Sequence, residues 1–283
     1  MYMNISNNKI WTDESLKLFF IVVTVFSLII EAIYCFTGNG YLVLFLMWIP
    51  AISAMIANFV SAKQKNEKLS FIEFFARIGF RRCKIRYLIL GFLITLVYLL
   101  IPYMIYWKIY PEDFAYNGVP LNLILADLVP AMIINNFINL ISATGEEIGW
   151  RGFLVPALKE RIGLKKTLIY TGLFWSCWHL PILIFGNYMS DTVLWYRIPT
   201  FNLCITGAGI IFGYLADISD SMWPAAFLHA SHNNYDQGIF QLITRGDKMM
   251  YLVSETGILT IICIWIIVLI IVLISKKNQN KQD

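Results

Sequence analysis

Eight apolar runs, each close to twenty residues long, decide what this chain can fold into. They cover roughly 16–36, 41–62, 86–107, 121–143, 167–186, 199–217, 223–240 and 256–275. About twenty apolar residues in a helix match the hydrocarbon thickness of a bilayer, because each residue adds about 1.5 Å of rise. With 58 % hydrophobic and only 14 % charged residues, a soluble domain is excluded. The expectation is an all-α, polytopic membrane bundle of about eight transmembrane helices, a single membrane domain over 1–283. The seventh run is the most polar, carrying His229, His232, Asn233, Asn234 and Asp236.

The distribution of charge tests that count, since Lys and Arg collect in cytoplasmic loops. With eight spans and a cytoplasmic N-terminus, 18 of the 22 basic residues fall inside, Lys281 among them. Lys108, Arg197, Arg245 and Lys248 remain outside. Both termini are therefore expected in the cytoplasm. The net charge of +4 is modest, and its loop-by-loop bias speaks for a lipid bilayer as partner and against nucleic acid. Leu16 to Phe36 is too long for a cleaved secretory core and ends without a small-residue cleavage site, so it is read as a retained helix. Five scattered cysteines, mostly inside apolar runs, give neither a disulfide framework nor a zinc ribbon. Between Lys63 and Arg86 the pattern of Phe71, Phe74, Phe75 and Ile78 on one face predicts an interfacial amphipathic helix over about 69–81. Prolines 130, 181 and 224 interrupt or open spans four, five and seven, which places freed backbone groups near the polar residues.

A charged side chain at the middle of a membrane helix costs about 2.5–3.5 kcal/mol on insertion scales, so such groups mark candidate sites. The chain is read as gathering its membrane carboxylates and imidazoles into one place. Glu147 and Arg151 stand four apart and can pair on one helix face. Glu146, one residue earlier, points about a quarter-turn away, free to face a cavity. Trp175 and His179 share a face of span five, where the indole can wall a pocket. His229 and Asn233 share a face of span seven and present two neutral hydrogen-bond donors, while His232 reaches only part of that face. Taken singly, each is equally an interfacial charge cluster or a polar helix seam. Jointly they match the parts needed to hydrolyse an amide: a carboxylate to deprotonate water, a histidine to orient it, and two donors for an oxyanion.

These residues resemble the CPBP family, the CAAX prenyl endopeptidases and bacteriocin-processing (Abi) intramembrane proteases. The likeness rests on Glu-Glu-x-x-x-Arg at Glu146, Glu147 and Arg151, on aromatic-x-x-x-His at Trp175 and His179, and on His-x-x-x-Asn at His229 and Asn233. Trp178-His179-Leu180-Pro181 and Ser221-Met222-Trp223-Pro224 add to it, and the family-like core runs over about 121–240. Trp175 departs from the usual Phe. The resemblance implies that Glu146 and His179 activate water while His229 and Asn233 form the oxyanion site, with Glu147, Arg151 and Trp175 in support. It leaves metal use open: the cofactor is none or Zn²⁺, for which His179, His229 and Glu146 are an acceptable ligand set.

The expected function is thus an intramembrane endopeptidase acting on a peptide or protein substrate that reaches the membrane, in peptide maturation or bacteriocin self-immunity. The alternatives are a non-catalytic membrane immunity or interaction protein of the same fold, and a proton-coupled transporter, for which no inverted repeat is visible. Zinc site-two proteases need His-Glu-x-x-His, which is missing, as is a Gly-x-Ser-x-Gly elbow. Richness in Ile, Asn and Lys points to an AT-rich bacterial genome and hence a bacterial cell membrane.

Overall fold

The structure, a computed structural model, describes residues 9–279, so Lys281 lies outside the described residues. The chain folds into helices α1 (Asp13–Thr37), α2 (Tyr41–Gln64), α3 (Phe71–Arg77), α4 (Ile85–Ile109), α5 (Leu121–Glu147), α6 (Val155–Ile162), α7 (Leu164–Trp178), α8 (Leu180–Phe185), α9 (Leu194–Ser219), α10 (Trp223–Tyr235), α11 (Met249–Leu252) and α12 (Ile258–Gln279). There are no strands among the described residues. It is an all-α bundle of an integral, multi-pass membrane protein.

Among the described residues seven helical stretches are long and apolar enough to cross a membrane, and the most polar of the eight predicted runs is not one of them. That run still traverses the bundle. Beginning beside Gly79, whose carbonyl accepts from Met222 N, it passes Thr95, Tyr98 and Tyr103 of α4 in turn. It therefore runs the length of α4. Its polarity is tolerated because α4, α5 and α9 enclose it, and most of α10 is buried. Among the described residues eight segments traverse the bundle, and seven of them are long and apolar enough to be recognised by hydropathy.

Side-chain pairs sort the connections onto two ends. At one end Arg161 Nη2 bonds Asp13 at 2.7 Å and Arg81 Nη1 bonds Asp220 at 2.5 Å, joining the starts of α1 and α4 to α6 and the end of α9. At the other end Arg245 N donates to Asp113 O and Tyr188 Oη to Glu255. This alternation is what eight traverses require.

The predicted amphipathic helix is shorter than expected. It starts at Phe71, where Ser70 and Glu73 cap each other's backbone N–H groups, and stops at Arg77 rather than 81. Gly79 then takes φ +92°, a left-handed conformation open to glycine, and turns the chain inward. Ile78 is buried as a result, while Phe71 stays 79 % exposed. The apolar face expected over this segment is thus split between core and surface.

Burial changes abruptly along the 42-residue run 121–162. The first part of α5 exposes Leu123, Ile134, Phe137 and Ile141, as a lipid-facing helix does. From Ala143 to Val155 every residue is buried. The glycines flanking the acids explain the change: a Cβ on Gly145 would stand 2.6 Å from Met47 O, and one on Gly149 would collide with Pro50. With hydrogen there instead, the α2 backbone closes directly on the motif. A wide π turn, Ile148–Leu154, follows and carries Arg151. Such turns rotate the side chains after them relative to those before.

Candidate active site

Glu146 sits at the end of α5 and is 2 % exposed. Its Oε2 accepts from two indoles, Trp150 Nε1 at 3.2 Å and Trp175 Nε1 at 2.7 Å. Both bonds fall on one oxygen, so the carboxylate is held in one orientation, with no partner for Oε1 among the described residues. Glu147 faces the other way and is fully buried. Its Oε1 accepts from Arg151 Nη1 at 2.8 Å and meets His229 Nδ1 at 2.8 Å. Arg151 in turn lies over the rings of Trp175 and Phe212, 4.4 and 4.9 Å from their centres. The two adjacent acids therefore have different surroundings, one among indoles beside a cavity and one in an ion pair.

The end of α7 positions His179. There the backbone tightens, and His179 N–H reaches Ser176 O rather than the carbonyl four residues back. Trp175 O is left to accept from His179 Nδ1, at 2.8 Å. A carbonyl can only accept, so this bond puts the neutral ring's proton on Nδ1 and its lone pair on Nε2. Pro181 follows at the start of α8 and lacks the N–H that would continue the helix. Trp178 and Phe201 pack edge-on against the imidazole, at 4.8 and 5.4 Å between ring centres.

His229 and Asn233 extend from α10 into the same cavity, with a volume of about 80 Å³. Glu146, Trp175, His179, His232, Gln237, Tyr188 and Glu255 complete its polar wall. The space suits water, whose share of liquid volume is about 30 Å³. The reading of His229 as a neutral donor needs correction. A neutral ring that donates from Nδ1 to a carboxylate presents a lone pair at Nε2; only the imidazolium donates from both nitrogens. Asn233 makes no side-chain hydrogen bond among the described residues and is available as a donor.

His232 is tied down on both sides, with Tyr98 Oη 2.8 Å from Nδ1 and Glu255 Oε1 2.8 Å from Nε2. Glu255 also accepts from Tyr188 at 2.8 Å and Gln237 at 3.2 Å. Burial and this carboxylate hold the Tyr188 phenol well above its ordinary range, so it remains a donor. Sequence reading missed Glu255, Tyr188, Gln237 and Trp150. The visible signal was an isolated acid, Glu255, immediately ahead of the most apolar helix. Nor are all membrane carboxylates gathered at the cavity: Glu31 on α1 is buried away from its walls.

Among the described residues no three His, Cys, Asp or Glu side chains come together at metal-binding spacing. The ligand set His179, His229 and Glu146 is not assembled in this arrangement of side chains.

Comparison with known proteins places these residues in a family context. Residues 125–235 match the family model described as type II CAAX prenyl endopeptidase Rce1-like. The chain is also similar to "CAAX prenyl protease 2" of Methanococcus maripaludis, 32 % identical over 145 residues. That alignment covers 50 % of this chain and 50 % of the relative, so the chain spans about half the length of the curated protein it matches. The matched stretch contains Glu146, Glu147, Arg151, Trp175, His179, His229, His232 and Asn233, and over residues 125–235 this chain resembles the type II CAAX prenyl endopeptidases.

Proposed function

We propose that this protein is an intramembrane endopeptidase in which Glu146 activates water. The observation that carries the reading is that Glu146, at the end of α5, and His179, between α7 and α8, both line one water-sized cavity, each with an acceptor that has no partner among the described residues. Glu146 Oε1 takes a proton from water as the oxygen attacks the scissile carbonyl carbon, and His179 Nε2 accepts the water's second hydrogen to orient it. The oxyanion that forms accepts from Asn233 Nδ2. His229, as an imidazolium paired with Glu147, donates to it from Nε2. The C–N bond then breaks and the leaving nitrogen takes the proton held by Glu146. Water's oxygen ends in the new carboxylate, one of its protons on the leaving nitrogen by way of Glu146 and the other on His179 Nε2.

The substrate is a peptide or membrane-tethered protein segment that reaches the cavity from the bilayer side, past Val43, Leu46 and Met47 of α2. Comparative proteomics of membranes holding wild type or Glu146→Ala protein tests the proposal. A membrane peptide cut in the first and intact in the second is expected. Identical peptide patterns with both proteins folded would refute proteolysis at this site and favour a binding or immunity role.

A further inference from the structure

Away from the cavity, α7 and α12 both pack on α9 and leave a groove of about 1200 Å³ between them. Its walls are apolar, with Leu168, Ile169, Leu203, Ile210, Trp265 and Ile271 along its length. From Trp265 to Lys276 the groove follows α12 for about 16 Å. Its one charged end is at the mouth, where Lys165 and Lys166 of α7 meet Lys276 of α12. Among the described residues no acid lines the groove and none of the three lysines has an acidic partner.

A second observation points the same way. α7 begins at this mouth with Gly163 as its capping residue, so no side chain accepts from its first-turn N–H groups. Unclaimed N–H groups and the positive end of the helix favour a phosphate. A long apolar trough ending in three ammonium groups with no acidic partner among the described residues, beside a bare helix start, fits one kind of occupant. We infer that this groove binds an anionic phospholipid, with an acyl chain along α9 and the headgroup phosphate between Lys165, Lys166 and Lys276.

Native mass spectrometry of the full chain in detergent, titrated with equal amounts of phosphatidylglycerol and phosphatidylcholine, tests the inference. Each lysine near an anionic headgroup is worth about fivefold in binding. Wild type should therefore retain phosphatidylglycerol at least about tenfold better than phosphatidylcholine. Lys165→Gln with Lys166→Gln and Lys276→Gln should bring the ratio close to one, whereas neutralising Lys63, Lys65 and Lys68 should leave it unchanged. Leu203→Trp, which fills the trough without touching the mouth, should weaken both lipids. Equal retention by wild type, an unchanged ratio in the groove triple, or an equal loss in the control triple would overturn the proposal. Displacement of phosphatidylglycerol by millimolar inorganic phosphate alone would also overturn it, showing a bare anion site in which the trough has no part.

Discussion

Arg151→Met removes one partner of a pair whose side chains are 1 % and 0 % exposed, with 2.8 Å between Nη1 and Glu147 Oε1. Breaking a buried pair from one side typically costs about 3–5 kcal/mol, because the remaining charge stays buried with fewer partners. Here His229 Nδ1 still meets the same Oε1 at 2.8 Å, which pulls the cost toward the lower end, about 3 kcal/mol. Loss of the guanidinium over Trp175 and Phe212 adds about 1 kcal/mol more. Replacing both, Glu147→Gln with Arg151→Met, removes the guanidinium and the carboxylate together and should cost less than the two single changes added together. The assay is reversible unfolding of purified protein in mixed detergent micelles, read by tryptophan fluorescence. A single change costing under about 1 kcal/mol, or strict additivity in the double mutant, would refute the claim that Glu147 and Arg151 form one buried electrostatic unit.

Further outcomes follow from the same geometry. Trp175→Phe keeps an aromatic wall but deletes the shorter of the two indole bonds to Glu146; with Trp150 still donating, turnover of a cleaved peptide should fall about tenfold at nearly constant KM. Asn233→Ala removes the proposed oxyanion donor and should lower kcat by about 10²–10³ while the unfolding curve stays in place. Glu255→Gln leaves a neutral acceptor where His232, Tyr188 and Gln237 converge, so hydrogen exchange should quicken across 186–193 and 249–257 with little change at the α2–α5 contact. Gly149→Leu should prevent α2 from closing on the motif and yield protein that fails to unfold cooperatively.

The apolar runs made the bundle legible because lipid rewards one signal, about twenty apolar residues, wherever it occurs. That signal was ambiguous at α10, whose polar face is answered by other helices rather than by lipid. The amphipathic pattern over 69–81 overran the short α3, whose end is set by the turn at Gly79 and by Ile78 lying on the α5–α6 junction, contacts remote in sequence. At the site, spacing of four revealed which residues share a helix face: Glu147 with Arg151, Trp175 with His179, His229 with Asn233. Spacing could not show which nitrogen of a histidine is occupied. That depends on partners from other helices, and it reverses the donor role read for neutral His229. Glu255 was hidden for the same reason, since only folding brings the 249–257 segment against His232.

Glu146 as the group that deprotonates water is the claim on which the functional account rests. Purified wild type and Glu146→Gln, each reconstituted with the membrane peptides it is to cut, can be incubated in ¹⁸O-water and the new C-termini read by mass spectrometry. The account predicts ¹⁸O-labelled C-termini from wild type and none above background from a folded Glu146→Gln protein. Labelled products forming at the wild-type rate in that variant would contradict it.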